Sequence, residues 1–149
     1  MIAVVRSPEP ATEEQFEQLP WDVSRELDQR DEQRWADGVS SDPAQPHFAF
    51  SHCGTAFFVV GLHPAASRIA RRAPLLTLVF NLHEQFENLR TSGGVERMRD
   101  ATRTRDTRLQ GAVNPMAEDH GGSSEARQYS GRRVPHDWVP PFTARKPDE

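Results

Sequence analysis

Two apolar runs in the middle of the chain, each ending in a histidine, restrict the fold more than any other feature. The run Thr55–Leu62 leads directly into His63, and the run 75–80 leads through Asn81-Leu82 into His83. Short runs rich in β-branched and aromatic side chains predict buried β-strands. Each strand would present an imidazole at its exit, and the arginine-rich segment 67–72 follows the first one. Imidazole beside arginine can hold a metal and an anionic group together.

Composition predicts one domain with a small central core. Hydrophobic residues make up only 36% of the 149 residues, and they concentrate between positions 47 and 86. We therefore expect a compact core over about 12–110 and an irregular tail over 111–149. The net charge of -4 argues against nucleic-acid binding, which usually needs a basic surface.

The single cysteine, Cys53, excludes an internal disulfide and a site made of several thiolates. The sequence contains no signal-peptide-like segment and no apolar run long enough to span a bilayer. We therefore expect a cytoplasmic protein without a membrane partner.

Local patterns predict a mixture of helices and strands. Thr12 followed by Gln15 indicates a capping box that opens a helix, and Pro20 is expected to kink or split that helix. Further predicted elements are a strand at 2–5, a hairpin of 47–51 with 55–62, a helical crossover at 67–72, a strand at 75–80, and helices at 84–90 and 95–109. Because these elements do not alternate strictly, we predict an α+β fold, in which helices pack a small mixed β-sheet with a central hairpin.

His63 is the leading candidate ligand, because Pro64 fixes the backbone after it and the ring emerges at a strand end. Arg68, Arg71 and Arg72 are the candidate anion-binding group beside it. The alternative interpretation is structural. In it, His63 hydrogen-bonds to the backbone at the strand end, and the arginines lie on an exposed helix.

His83 is a weaker candidate metal ligand. A three-histidine site of His63, His83 and His120 would suit a metal-dependent hydrolase, but this spacing is not a known zinc signature. The other histidines, His47, His52 and His136, are interpreted as turn or surface residues. No catalytic residue is assigned, because Ser67 lacks an evident general base.

Several longer motifs, taken together, resemble the YqcI/YcgG family. The similarity covers nearly the whole chain after Thr12 and is most specific around His63. It is carried by residues 57–72, 77–87, 95–99, 111–116, 125–131 and 138–142.

The resemblance implies a haem-dependent N-oxygenase that hydroxylates an amino or guanidino nitrogen of a small molecule and needs an external electron donor. It implies haem as cofactor, with His63 as the axial ligand to iron and Arg68, Arg71 or Arg72 beside the propionates. Phe58, Val60 and Phe80 are expected to line the porphyrin, and Glu84 or Asp119 to receive a cationic substrate.

Members of that family begin upstream of the point where this chain begins, with a strand near a Pro-Cys step. The apolar strand predicted at 2–5 starts directly after Met1, so an N-terminally truncated domain is expected. A non-catalytic or inactive fragment of the family is therefore the alternative to an active enzyme.

Overall fold

The computed structural model describes residues 1–6, 10–114 and 122–145 and confirms the α+β class. Its strands and helices are, in chain order, β1 (Ile2–Val4), α1 (Glu13–Arg30), β2 (Phe50–His52), β3 (Thr55–Leu62), β4 (Thr77–Leu82), α2 (His83–Thr91) and α3 (Gly94–Gln110). Two short 3-10 turns follow β3 and α3, at Ile69–Arg71 and Glu125–Gln128. Among the described residues, no helix is both long enough and apolar enough to cross a membrane.

The four strands form one sheet in the order β1-β4-β3-β2, and each of its three pairings is antiparallel. The sheet was expected to be mixed, so this detail of the prediction is wrong. The segment between β3 and β4 folds back on itself, since the backbone N–H of His63 donates to Arg71 (3.0 Å) and its carbonyl accepts from Ala73 (3.4 Å). A connection that stays at one end of the sheet leads into an antiparallel strand. A parallel strand would require a connection that crosses to the opposite end of the sheet.

The predicted hairpin is confirmed, with β2 and β3 joined at Cys53 and Gly54. Both turn residues have positive φ, 52° at Cys53 and 68° at Gly54. Two successive positive φ angles are the signature of a type I′ turn. The twist of this turn matches the twist of the two strands that it joins in a two-residue hairpin.

Helix α1 begins where the capping pattern predicts. The backbone N–H of Gln15 donates to the hydroxyl of Thr12 (3.2 Å), and the side chain of Gln15 accepts from the N–H of Ala11 (2.8 Å). The expected split at Pro20 does not occur, because the helix continues to Arg30. Pro20 and the next residue, Trp21, are buried, so packing of this face offsets the missing backbone donor.

Helices α1 and α2 pack on opposite faces of the sheet. Side chains alternate along β3, and a side chain added at Gly61 would point at the ring of Phe16 from α1. Phe58, which points to the other face, makes an edge contact with Phe86 from α2.

The hydrophobic core extends beyond the predicted range of 12–110. Ala126, Tyr129 and Phe142 from the C-terminal segment belong to it. Tyr129 also covers the edge of β3 that the short strand β2 leaves open, since its carbonyl accepts from the N–H of Gly61 (2.6 Å). In its described residues the tail is irregular apart from the 3-10 turn at Glu125–Gln128. The rings of Tyr129 and Phe142 nevertheless belong to the core.

Candidate functional site

The antiparallel register places His63 and His83 at opposite ends of the sheet. Leu62 pairs with Thr77, and Phe57 pairs with Leu82, so the two histidines follow opposite ends of the β3–β4 pair. The five residue steps between Phe57 and Leu62 span about 17 Å. His63 and His83 are therefore too far apart to share one metal ion, which argues against the alternative of a three-histidine centre. His120 lies outside the described residues.

His63 is one of the most deeply buried polar residues of the chain, with 1% of its surface exposed. Its ring stacks on Phe16 of α1, with a centroid distance of 4.1 Å and an interplanar angle of 29°. Its Nδ1 is buried and forms no hydrogen bond. Burial lowers the pKa of His63, although Glu13 partly opposes the shift, so the neutral ring, the form that ligates metals, is favoured.

Arg71 connects β3 to the second 3-10 turn. Its guanidinium donates to the carbonyls of Gly61 (3.3 Å) and Gln128 (3.0 Å). Burial lowers its pKa to about 10, with Asp106 acting in the opposite direction. These contacts describe a structural arginine whose donors already bind carbonyls of the protein.

The other two candidate arginines differ in exposure. Arg68 lies 3.3 Å from the carboxylate of Asp106 and donates to the carbonyl of Ala112 (3.1 Å), which fixes the loop after β3 to α3. Arg72 is exposed and donates its Nε to the carbonyl of Ala66 (2.8 Å).

The three residues expected to line a porphyrin do not share one surface. Phe58 and Val60 point to the α2 face of the sheet. Phe80 pairs with Val59, so it points to the α1 face, where it packs in the core at 2% exposure. Because alternate residues of a strand face opposite sides, these three side chains cannot form a common wall.

A haem site at His63 needs an accessible imidazole nitrogen and free cationic side chains for the propionates. The unpartnered Nδ1 is a suitable donor atom, but an iron atom reaches it only if the packing around the ring opens. All three arginines expected near the propionates also bind groups of the protein itself. In this conformation the described residues around His63 therefore do not form a haem site.

A large cleft lies at the other end of the sheet, beside the start of α2. Its volume is about 820 Å³. It is formed by the loop after α1, the start of β3 and the start of α2, and its titratable lining residues are Asp37, His47, His83, Glu84 and Glu87.

The cleft has an acidic character. Among the described residues that line it, three are carboxylates and none is a lysine or arginine. The side chain of His83 is 14% exposed, and its Nε2 lies 3.7 Å from Oε1 of Glu125. Such a cleft suits a cation carrying several N–H donors.

The sequence identified only part of this cleft. Glu84 was proposed to receive a cationic substrate and His83 to bind a metal, and both line the cleft. Asp37 and His47 were missed, because they come near α2 only through the antiparallel return of β4 beside the hairpin. Glu87 was also missed, although it lies one helical turn after His83 and Glu84 on α2. Asp119, the other proposed substrate residue, lies outside the described residues.

Comparisons with known proteins agree with the motifs. No significant match exists among curated proteins or among solved structures. The sequence model of the YqcI/YcgG family matches residues 1–143. Because this match spans almost the whole chain and includes the strands and helices that build both ends of the sheet, the protein belongs to the YqcI/YcgG family.

Proposed function

We propose that this protein binds a small cationic amine or guanidine in the acidic cleft, as the substrate-holding part of an N-oxygenase-type reaction. The observation that carries the proposal is the charge of the cleft, whose described lining residues include three carboxylates and two imidazoles but no lysine or arginine. Family membership supports it, because nitrogen oxidation of amines and guanidines is the chemistry that the resemblance implies.

The carboxylates and the histidines have different roles in this proposal. Asp37, Glu84 and Glu87 hold the cation by charge-assisted hydrogen bonds. Oxidation at nitrogen needs a free lone pair, which a protonated amine lacks. His83 or His47 accepts that proton, since a neutral imidazole is the side chain best suited to proton transfer near neutral pH.

Butylguanidine and its neutral isostere butylurea are the probes that test the cleft. We expect calorimetry at low ionic strength to show binding of butylguanidine in clear preference to butylurea. Removing the three charges in Asp37→Asn/Glu84→Gln/Glu87→Gln weakens butylguanidine binding roughly 30-fold, because each partly exposed ion pair contributes about 0.7 kcal/mol.

Glu26→Gln is the matched control, since Glu26 is an exposed α1 carboxylate paired with Arg30 outside the cleft. It is expected to leave binding unchanged. Equal affinity for butylguanidine and butylurea, or an unchanged affinity in the triple variant, would refute the proposed recognition of a cation.

We propose haem-dependent N-oxygenation at His63 as the second candidate function. The observation that favours it is the buried, unpartnered Nδ1 of a histidine whose pKa is lowered by burial. This function requires the packing of His63 on Phe16 to open, and it requires an external electron donor.

Reconstitution with haemin tests this candidate. A haem ligated by His63 gives a sharp Soret band that disappears in His63→Ala and persists in His136→Ala, a control at an exposed histidine. A broad band of the same size in the wild type and in His63→Ala would exclude His63 as the axial ligand. Cation binding in the cleft is measured separately, so the two candidates can fail independently.

A further inference from the structure

We propose that Asp31, His52 and Cys53 form a binding site for a transition-metal ion such as Zn²⁺. Each residue offers one donor atom, and these atoms all lie within 4.8 Å of one another. Asp31 directly follows α1, His52 ends β2, and Cys53 is the first residue of the hairpin turn. The site therefore arises where the end of the first helix meets the tip of the hairpin.

Backbone contacts hold the carboxylate in place. Oδ1 of Asp31 accepts from the N–H of Gln33 (2.8 Å), and Oδ2 accepts from the N–H of Cys53 (2.7 Å). Carboxylate oxygens have further lone pairs beyond those used by these two donors. The carboxylate is thus oriented towards the turn before any metal binds.

His52 supplies the second observation that points to a ligand. Its Nδ1 lies 3.5 Å from Oδ2 of Asp31, but it is buried and forms no hydrogen bond. A buried ring nitrogen without a partner is unfavourable. A metal ion between His52 and Asp31 would give this ring nitrogen a partner and use the remaining lone pairs of the carboxylate.

The turn requires a positive φ at position 53, but it does not explain why a cysteine occupies that position. With a φ of 52°, Cys53 is the one non-glycine residue with positive φ in the described part of the chain. This turn position favours Asn, Asp or Gly. The thiol is exposed, so burial does not account for a cysteine here either, whereas a role as ligand does.

The three donors match the chemistry of zinc. Zn²⁺ accepts carboxylate oxygen, imidazole nitrogen and thiolate sulfur, and tetrahedral geometry separates such donors by about 3.3–3.8 Å. The distance of 3.5 Å between His52 and Asp31 falls within that range, and rotation of the exposed Cys53 side chain brings in the sulfur. The thiol loses its proton to solvent on binding, so thiolate and carboxylate together neutralise the ion.

The site is separate from the acidic cleft. None of the three residues lines that cleft, although Gly54 and Thr55, which follow them, do. Three protein ligands leave a fourth position open to water or a small ligand, as in catalytic rather than structural zinc sites.

Titration with Co²⁺ tests the site, using protein that has been reduced and transferred to anaerobic buffer. Because Cys53 is the only cysteine, a sulfur-to-cobalt charge-transfer band can come only from this residue. We expect one Co²⁺ per chain with that band, displacement by Zn²⁺, and loss of the band in Cys53→Ser. In His52→Ala the affinity for Co²⁺ falls at least about tenfold.

Two further histidine variants make the result specific. His136→Ala changes an exposed histidine and is expected to leave Co²⁺ binding unchanged. His47→Ala tests the neighbouring cleft. Loss of binding in His47→Ala but not in His52→Ala would overturn the proposal, as would Co²⁺ binding without a charge-transfer band. Thermal unfolding without metal shows whether each variant is folded.

Discussion

Gly61→Ala is expected to lower the free energy of unfolding by about 3 kcal/mol, as overpacking of a tight core does. A Cβ at this position would lie 2.7 Å from a ring carbon of Phe16 and 2.9 Å from the carbonyl oxygen of Tyr129. The Phe16 ring can shift, but the carbonyl is held by the N–H of Gly61 itself (2.6 Å). Chemical denaturation followed by circular dichroism measures the change.

Gly38→Ala is the control for this prediction. Gly38 has a φ of +81° but nothing lies within 4 Å of an added Cβ, so only backbone strain of about 1 kcal/mol is expected. The double variant Phe16→Leu/Gly61→Ala should recover part of the loss relative to the sum of the single changes, because the two residues are in contact. Equal effects at Gly61 and Gly38 would contradict the steric argument.

Phe142→Ala is expected to destabilise the protein by about 3–4 kcal/mol, as truncation of a buried aromatic side chain usually does. Phe142 is 6% exposed. Its ring lies 6.0–6.4 Å from the rings of four aromatic residues, namely Trp21, Trp35, Phe48 and Phe50. For a chain of this size the melting temperature should fall by about 10 °C.

Val139→Ala provides a matched control from the same segment. Val139 is 67% exposed, so its truncation should change stability by less than about 0.5 kcal/mol. If both variants had the melting temperature of the wild type, the C-terminal segment would not be part of the core. The prediction that the compact core ends near residue 110 would then stand.

Local features of the fold were predictable from the sequence because their determinants lie within a few residues of one another. The hydroxyl of Thr12 caps α1 three residues ahead of its donor. The Cys53-Gly54 step closes the hairpin through its own backbone angles. The effect of Pro20 was not predictable, because the burial of this helix face involves residues far along the chain, such as Phe142 against Trp21.

The candidate sites were predictable only in part. The sequence singled out His63, but not its stacking on Phe16 or the unpartnered Nδ1. It marked Arg71 as an anion-binding residue, whereas the structure shows its guanidinium on two carbonyls. Charge and spacing do not show whether a long arginine side chain binds a ligand anion or a carbonyl of the protein. The carbonyls that compete for the guanidinium come within its reach only after folding.

The sequence by itself determined the family, the α+β class and the position of most helices and strands. These follow from motifs and hydrophobic periodicity, which can be read along the chain without knowledge of tertiary contacts. Only the tertiary structure decided that β3 and β4 run antiparallel. That direction depends on how the segment from His63 to Ala73 folds back through its own backbone hydrogen bonds, and no periodicity encodes it. The antiparallel direction of β3 and β4 separates His63 from His83. It leaves His63 buried in the core and places His83 in the acidic cleft.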